Sequence, residues 1–568
     1  MEYLDFRPVK CKDCFKCLRE CPMKAIKYEN HQAKIVAEKC ILCGRCTMVC
    51  PQNAKQVHSE REDVAKLFAG PHKVIASVAP SFISSFDVPN FSVFKKALMQ
   101  IGFDFAEETA VGAKAVTEEY SRLLEKNTYK NLISSACPAI NRMIQIYYPQ
   151  ALKYLAPVVS PMVAHAKILK ERYPDCKIVF IGPCVAKKRE AAESGLIDGV
   201  LTYEELEIMF ADKNIDLANI EVEPTEKVND ALNIARYYPI SRGIIKSFTK
   251  FPKGYEYVAV DGLERSFRVL GDIESLSDMF IEMNCCEYVC INGPCSLKKP
   301  GGALKSNEVV RKYVGKKTPV LPGEASIPVD MIEEHEVILC HDRIAPSERE
   351  IKEILAKTGK TTPEDELNCG ACGYSTCRER AVAVINGYAE LDMCIPYMRR
   401  RAESMSLEII QNSPYGIIVL DNDYKIMEFN SSAKAILGIN AADAKGTFAY
   451  DSFDVSEFVI AQSEGRDITR KQIYIEKTKK YADATFVILN EHKIMFAFLR
   501  DVTDRVEYDI QLDNVKRETI ETTEAVIKKQ MRVAQEIASL LGETTAETKV
   551  ALLKLKKTLA ESGNKGEG

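Results

Sequence analysis

The cysteines of this chain are concentrated in a motif that occurs twice near its start. Two runs share the spacing C-x2-C-x2-C-x3-C-P: Cys11, Cys14, Cys17 and Cys21, then Cys40, Cys43, Cys46 and Cys50. The chain has 20 cysteines in 568 residues, and these eight lie in the first 50. The opening sequence MEYLDFRPVKCKDC has charges where a signal peptide has its apolar run, which predicts a cytoplasmic protein. Because the cytosol keeps thiols reduced, the repeat indicates metal ligands rather than disulfides.

This duplication resembles the bacterial two-cluster ferredoxins, in which each run gives three ligands to one 4Fe-4S cluster and its fourth to the other. The resemblance implies one cluster on Cys11, Cys14, Cys17 and Cys50, and a second on Cys40, Cys43, Cys46 and Cys21. The alternative is a pair of zinc knuckles, but zinc sites rarely use three cysteines per run followed by Cys-Pro.

A third set of cysteines lies far downstream with the spacing C-x2-C-x4-C-x16-C: Cys369, Cys372, Cys377 and Cys394. We predict that the segment RERAVAVINGYAELDM between the last two is a helix that brings Cys394 back to the others. The spacing resembles the small 4Fe-4S domain of corrinoid iron-sulfur proteins and electron-transport subunits. Zinc is the alternative ligand here as well.

The central cysteines follow short apolar runs. Cys137 comes after NLISSA and Cys184 after KIVFIGP, while Cys286 and Cys290 lie in FIEMNCCEYVC. Such runs predict strands, and α/β sheets bind ligands at the carboxyl ends of their strands. A single cysteine in this position is usually a small buried apolar residue, which is the alternative for each of them.

Taken together, SACPAI, GPCVAKKRE and EMNCCEYVC resemble the three motifs of the catalytic domain of FeFe hydrogenases, over roughly residues 70 to 345. SVAPSF resembles the segment that lines the diiron site of that family. The resemblance implies a 4Fe-4S cluster on Cys137, Cys184, Cys286 and Cys290, with Cys290 bridging to a diiron subcluster that carries CO, cyanide and a dithiolate. It also implies hydrogen bonds to the cyanides from Lys187, Pro80 and Ser81, although Lys187 in its KKR run could instead be a surface lysine.

The sequence departs from the active enzymes along their proton relay. The family has a second cysteine before the first cluster ligand, where this chain has Ala136, and a methyl group cannot carry a proton. An ungapped comparison matches the glutamate pair Glu118 and Glu119, but places Arg122 and Ala156 where a relay glutamate and serine stand. Three of four relay groups are therefore absent, which predicts low hydrogen turnover.

Other departures concern the motifs and the remaining thiols. Gly182 replaces a methionine of the second motif, and Asn292 to Cys295 replace a glycine run of the third. Cys285 and Cys295 are additional thiols without an assigned role. Cys176 and Cys340 belong to no motif, and we predict that both are core residues.

The C-terminal third has a different pattern. YGIIVLDNDYKIMEFNSSAKAILGI predicts two strands and a helix, and TFVILN and KIMFAFLRDVTD predict two more strands joined by a turn near Asn490 and Glu491. This resembles a PAS domain, and its one histidine, His492, lies in the predicted turn, so we identify no chromophore site.

From about Glu507 to Ala560 the sequence has no proline, and it predicts a helix interrupted only at Gly542. A marginal coiled-coil seam is approximated by eight positions: Leu512, Val515, Thr519, Thr522, Val526, Val533, Ile537 and Leu540. The alternative is a helix folded on its own PAS domain. The end, ESGNKGEG, is predicted to be a disordered tail.

The predicted fold class is a multidomain α/β and α+β protein. Its predicted domains are a two-cluster ferredoxin-like domain (1–62), a two-lobed α/β FeFe-hydrogenase-like domain (70–345), a small helical 4Fe-4S domain (346–402), a PAS domain (403–506) and a long helical segment with a tail (507–568). With 77 basic and 81 acidic side chains and a net charge of -4, composition gives no reason to expect nucleic acid or an anionic membrane as partner.

This order of domains resembles the sensory branch of FeFe hydrogenases. The resemblance implies an oxidoreductase of low turnover that senses H2 or redox state and relays it to an output phosphatase or kinase through the C-terminal helix. We expect a homodimer. The alternative is a non-enzymatic electron-transfer or redox module whose central domain holds only a 4Fe-4S cluster, a reading favoured by Cys285, Cys295 and the missing glycine run.

Overall fold

The computed structural model describes most of the chain: residues 3–221, 230–315, 330–339, 345–439, 445–451, 454–465, 467–489, 493–541 and 546–562. The chain divides into two compact units, Met1–Tyr397 and Met398–Gly568. Within the described ranges, no helix is both long and apolar enough to cross a membrane. The domain boundaries predicted within each unit stay predictions.

The described residues of the first unit form eleven strands, in order β1 Leu4–Phe6, β2 Ile26–Glu29, β3 Gln32–Ile35, β4 Lys55–Val57, β5 Val74–Val78, β6 Phe105–Glu108, β7 Asn131–Ile133, β8 Lys177–Ile181, β9 Gly199–Leu201, β10 Glu256–Asp261 and β11 Met279–Asn284. Its α-helices are Lys16–Glu20, Arg45–Val49, Arg61–Phe68, Phe82–Ser85, Phe91–Ile101, Ala110–Glu125, Pro138–Tyr147, Pro161–Arg172, Ala186–Ser194, Tyr203–Asp212, Gly243–Ser247, Leu263–Gly271, Gly302–Val314, Glu348–Lys357 and Cys377–Ile385. The helix Ile395–Gln411, which we call the connector helix, continues from this unit into the second.

The duplicated cysteine runs have the same backbone. Each run contains a short helix, Lys16–Glu20 in the first and Arg45–Val49 in the second, and each is preceded by a residue in the left-handed region. These residues, Phe15 (φ 53°) and Gly44 (φ 73°), follow the second cysteine of their runs. Two small antiparallel sheets, β1–β4 and β2–β3, complete this region. The sequence repeat is therefore also a structural repeat.

The middle of the first unit is built on two parallel sheets. One has the order β6-β5-β8-β9 and the other the order β10-β11-β7. Strands β5, β7 and β9 are buried at every position, as expected when helices cover both faces of a parallel sheet. The carboxyl ends of β5, β7, β8 and β11 lead into the segments that contain the predicted central-site residues.

The region after residue 345 packs on the duplicated cysteine region. Its first helix begins with a capping box formed by Ser347 and Glu350. The backbone N–H of Tyr28 donates to the carbonyl of Tyr388 (3.0 Å), and the side chain of Arg19 donates to the carbonyl of Ala371 (3.1 Å). The third cysteine set is therefore held against the first two.

The helix predicted for the segment 378–393 is wrong in its second half. The helix Cys377–Ile385 ends where Asn386 caps it, and Gly387 then adopts a left-handed φ of 73°. The chain after this turn pairs with Tyr28 through Tyr388, and only a 3-10 turn, Leu391–Met393, precedes Cys394. Glycine at this turn reverses the chain at little steric cost, which helix periodicity alone does not reveal.

The second unit contains one antiparallel sheet of order β13-β12-β16-β15-β14, with β12 Gly416–Asp421, β13 Ile426–Phe429, β14 Ile468–Ile475, β15 Lys480–Leu489 and β16 Ile494–Asp501. Its helices are Ser431–Leu437, Ser456–Glu464, Thr503–Leu541 and Ala546–Ser562. Asn430 caps the first of these through the Ala433 N–H (2.9 Å). The predicted strands and helix are present. The predicted turn at Asn490 and Glu491, His492, Gly542 and the tail from residue 563 lie outside the described residues, whereas Glu561 and Ser562, predicted as the start of the tail, end the last helix.

The predicted C-terminal helix is described as two helices. Lys556 in the second lies 3.8 Å from Glu524 in the first, so the second helix runs back alongside the first. Many apolar side chains of this pair are exposed, among them Val515, Val526 and Val533.

Candidate metal centres and the central cavity

The eight N-terminal cysteines lie in two groups that cross between the runs, as the ferredoxin resemblance implies. Burial raises the pKa of Cys17, and the neighbouring Cys11, Cys14 and Cys50 raise it further. Burial also raises the pKa of Cys46, and the same effect comes from its neighbours Cys43, Cys40 and Cys21. Thiols that resist ionisation without a cation become ligands when a metal compensates their charge, so each set suits an iron-sulfur cluster.

The third set surrounds a small cavity. Its lining includes all four expected cysteines: Cys369, Cys372, Cys377 and Cys394. Lys360 and Arg380 line it as well. Over the described ranges, no group of three or more His, Cys, Asp and Glu side chains is placed to hold a single metal ion. In a 4Fe-4S cluster each cysteine binds a different iron, so four cysteines spread around a cavity suit such a cluster.

The central cavity, of about 100 Å³, lies between the carboxyl ends of the two parallel sheets. Pro80 and Ser81 reach it after β5, Cys137 after β7 and Cys184 after β8. Cys290, beyond the end of β11, also lines it. Parallel strands from two sheets thus bring together residues that are far apart in sequence.

The fourth central cysteine, Cys286, lies beside the other three rather than in the cavity lining. Burial raises the pKa of Cys184 to about 12, and Cys137 and Cys286 raise it further. Burial raises the pKa of Cys290 as well, with the same effect from Cys184, Cys286 and Cys137. Four neighbouring thiols fit a 4Fe-4S cluster, and the cavity next to Cys290 gives room for a further group.

Lys187 is not a surface lysine. It is 9% exposed, and its Nζ donates to Ser160 Oγ (2.9 Å) and to Glu190 Oε2 (2.6 Å) at the edge of the central cavity. The next lysine, Lys188, is also buried and is paired with Glu205 (3.0 Å). The pairing of Lys187 with Glu190 fixes the ammonium group at the cavity, and the KKR run gave no indication of it.

Ser81 is buried and shares a hydrogen bond with the hydroxyl of Tyr203 (2.6 Å). The Tyr203 hydroxyl in turn donates to the carbonyl of Ala79 (3.1 Å). Sequence reasoning missed Tyr203, which opens a helix behind the cavity and has no motif that marks it. Asn284 was missed too, although it lines the cavity directly and lies in the third motif.

The positions that correspond to the family's proton relay differ in their surroundings. Ala136 lines the central cavity, so its methyl group faces the space where the family has an acid–base group. Ala156 is buried, and Arg122 is largely exposed and paired with Glu119. Glu119 is itself buried, while Glu118 and Arg122 line a separate surface cleft of about 320 Å³.

The two additional thiols lie where the duplicated cysteine region meets the middle region. Cys285 is buried, and its thiol lies beside those of Cys43 and Cys286. Cys295 is also buried, beside Cys184, and its backbone N–H donates to the carbonyl of Pro183 (3.1 Å). Cys285 therefore connects a ligand of the second N-terminal set with a ligand of the central set.

Close packing reinforces this contact. A Cβ atom added at Gly44 would lie 2.4 Å from Cβ of Pro294, so a larger residue would push the two regions apart. Of the cysteines without a motif, Cys176 is buried as predicted, and Cys340 lies outside the described residues.

Removing two ligands of the third set should lower the iron content of the reconstituted protein by about four irons per chain, the content of one 4Fe-4S cluster. The variant is Cys369→Ser with Cys372→Ser, and the measurement is iron and sulfide analysis after anaerobic reconstitution. Cys176→Ala is the matched control, because Cys176 is buried away from all four sets and should retain full iron content. Unchanged iron in the double variant would contradict a cluster at this site.

Four segments of the chain match known families. Residues 10–54 match the 4Fe-4S dicluster domain, and residues 72–294 match the C-terminal domain of the iron-only hydrogenase large subunit. Residues 365–396 match a family described as a putative Fe-S cluster, and residues 405–470 match the PAS domain.

The chain is also similar to individual hydrogenases. It is 28% identical over 351 residues to iron hydrogenase 1 of Clostridium pasteurianum, which covers 52% of this chain and 61% of that protein. It is 28% identical over 307 residues to the periplasmic Fe hydrogenase large subunit of Nitratidesulfovibrio vulgaris, covering 46% of this chain and 73% of that protein. A solved structure of the FeFe-hydrogenase HydA1 from Chlamydomonas reinhardtii matches with a TM-score of 0.34 and 17% identity, over 45% of this chain and 88% of that one.

The family matches coincide with the structural regions built from the cysteine sets. The dicluster match contains both N-terminal runs, the hydrogenase match contains the central cavity and its four cysteines, and the Fe-S match contains the third set. The PAS match begins in the connector helix and includes β12 and β13. The chain is therefore a multidomain iron-sulfur protein with segments that match the 4Fe-4S dicluster domain, the C-terminal domain of the iron-only hydrogenase large subunit, a putative Fe-S cluster family and the PAS domain.

Proposed function

We propose that the protein senses hydrogen at an H-cluster-like centre of low turnover and relays the redox change to an output protein. The observation that carries the proposal is the set of side chains that lie together at the central cavity. The four cysteines and the buried Lys187 are in place, whereas Ala136 faces the cavity where an acid–base group would serve turnover. A sensor needs binding and a redox change, but little proton flux.

The residues at the central cavity would have different roles. Cys137, Cys184, Cys286 and Cys290 would hold the cluster, and a diiron group next to Cys290 would supply the hydrogen chemistry when bound. Lys187 places a positive charge at the cavity edge, and Ser81 places a hydroxyl that Tyr203 fixes. The apolar lining, which includes Ala79, Pro138 and Phe180, excludes water and so strengthens these interactions.

A route for electrons is supported by the contacts of Cys285. The Cys285 thiol lies beside Cys43 of the second N-terminal set and beside Cys286 of the central set. Tyr374 beside the third set lies close to Cys21, another member of the second N-terminal set. The second N-terminal cluster would therefore lie between the central site and the third cluster.

The test uses protein that has been matured with its diiron assembly factors. Hydrogen gas should reduce the accessory clusters, giving electron paramagnetic resonance signals of reduced 4Fe-4S clusters without any other reductant. Cys290→Ser protein, which keeps the accessory ligands, is the control and should stay oxidised under hydrogen. Equal reduction in both proteins would contradict hydrogen sensing at the central site.

One observation favours a second candidate function. Lys187 already has an ion-pair partner in Glu190, so its ammonium group is satisfied without a cyanide ligand. This suits a central domain that holds only a 4Fe-4S cluster and passes electrons without reacting with hydrogen.

Output through the C-terminal helices gives a separate prediction. Removing the chain after about residue 505 should leave every cluster signal intact, because all the predicted ligands precede residue 395. It should abolish binding of the output phosphatase or kinase and weaken a homodimer, since the exposed apolar side chains of Thr503–Leu541 are lost. Co-purification and sedimentation velocity measure the two effects, and a truncated protein that still bound its partner would defeat this role.

A further inference from the structure

Two buried cations lie beside the third cysteine set. Arg380 is 1% exposed and Lys360 is 4% exposed, and both line the same cavity as the four cysteines. Nζ of Lys360 lies 3.3 Å from Sγ of Cys394. Nη2 of Arg380 donates to Thr358 Oγ1 (3.0 Å), while its Nη1 has no hydrogen-bond partner within the described residues.

These two charges lack the usual compensation. Among the described residues, neither Lys360 nor Arg380 forms an ion pair with a carboxylate, although a buried charge is costly unless it is paired. The other partners of Lys360 are the backbone carbonyl and the hydroxyl of Thr358, which are neutral. The cysteine sulfurs face them, and these sulfurs would carry negative charge when they bind a cluster.

The environment of the two N-terminal sets differs. Within the described ranges, their one buried cation, Lys55, lies near both sets, whereas Arg189 and Arg142, which lie near Cys40, are only partly buried. Arg45, beside Cys43, is neutralised by Glu264 (2.6 Å). The third set is therefore distinguished by two cations that are both buried and that have no carboxylate partner among the described residues.

Helix termini add to this difference. Cys377 is the first residue of the helix Cys377–Ile385, and Cys394 immediately precedes the connector helix. The positive end of a helix stabilises negative charge in its first turn. Reduction makes a cluster one unit more negative, so buried cations and helix N-termini both favour the reduced form.

We infer that Lys360 and Arg380 raise the reduction potential of the third cluster above those of the two ferredoxin-type clusters, making it the site where an electron is stored next to the connector helix. The identity of the electron source depends on the proposed function. In that function, oxidation of one H2 releases two protons to solvent and two electrons. One electron reduces the third cluster and the other reduces a ferredoxin-type cluster. The stored charge lies at the start of the helix that leads towards the PAS domain.

The test is a redox titration of the reconstituted full chain with a chemical mediator series, followed by electron paramagnetic resonance. Loss of one signal in the Cys369→Ser, Cys372→Ser variant assigns the third cluster. In the unmodified protein this signal should appear at the highest potential of the three accessory clusters. Lys360→Met and Arg380→Gln should each shift its reduction equilibrium at least tenfold towards the oxidised form, which is about 59 mV for one electron.

Two further variants separate charge from folding. Arg380→Lys keeps the charge and should retain most of the potential, whereas Lys357→Met removes an exposed lysine close in sequence and should leave it unchanged. A third cluster at or below the potential of the ferredoxin-type clusters would overturn the inference. So would an unchanged potential in both Lys360→Met and Arg380→Gln at full iron content.

The titration needs no hydrogen, so its result is independent of the central site. If hydrogen fails to reduce the protein while the order of potentials holds, the proposed function is wrong and the inference stands. If hydrogen reduces the protein but the third cluster is not the first to be reduced, the inference is wrong and the proposed function stands.

Discussion

Hydrogen evolution by the matured protein should be slower by about 10²- to 10⁴-fold than that of relatives with a complete relay, because a positioned acid–base group contributes a factor of that size. Ala136 faces the central cavity, Ala156 is buried along the family's relay, and Arg122 pairs with Glu119 near the surface. A guanidinium group that does not deprotonate cannot hand a proton to Glu119. The path is therefore interrupted at three points.

Single replacements should recover little of this rate. Ala136→Cys alone restores a thiol at the cavity but leaves the outer path broken. The triple variant Ala136→Cys, Ala156→Ser and Arg122→Glu should exceed the sum of the single gains, since each proton must pass every group. The measurement is hydrogen evolution with a reduced dye, at equal diiron occupancy. A wild-type rate equal to that of the complete-relay relatives would contradict the sensor proposal, and full recovery from Ala136→Cys alone would contradict the assignment of Arg122 and Ala156.

Lys187→Met should have two effects that can be separated. It leaves Glu190 as a nearly buried charge without its partner, and breaking a buried ion pair in this way costs about 3–5 kcal/mol of unfolding free energy. It should also prevent retention of the diiron group, because the cavity loses its ammonium donor.

The double variant Lys187→Met, Glu190→Met distinguishes the two roles of Lys187. Stability, measured by denaturant unfolding of the apoprotein, should return because no buried charge is left unpaired. Diiron content should not return if Lys187 also serves the central site. Recovery of both would show that Lys187 only balances Glu190, and would favour the cluster-only alternative.

The three accessory cysteine sets could be predicted from sequence because local spacing marks them. A run such as C-x2-C-x2-C-x3-C allows one loop to present three sulfurs together, and the resemblance to two-cluster ferredoxins implied that the fourth ligand crosses over. The central set needed a different argument, because Cys137 and Cys184 lie in separate segments after predicted strands. The resemblance of three segments to FeFe-hydrogenase motifs grouped them with Cys286 and Cys290.

What the sequence did not reveal depends on contacts between distant segments. The hydrogen bond of Lys187 to Ser160 and the position of Cys285 beside Cys43 and Cys286 arise only when separate regions pack together. Arg380 occupies an ordinary-looking position in RERAVAV, and only its burial shows that it is not a surface charge. The end of its helix at Ile385 was missed because Gly387 and the contact of Tyr388 override helix periodicity.

Infrared spectroscopy of the matured protein tests the central claim most directly, because CO and cyanide stretching bands arise only from the diiron group. We expect these bands in the unmodified protein, their absence in Cys290→Ser, and a shift when hydrogen replaces argon. A protein with all of its 4Fe-4S clusters and no such bands would contradict hydrogen sensing and leave the electron-transfer alternative.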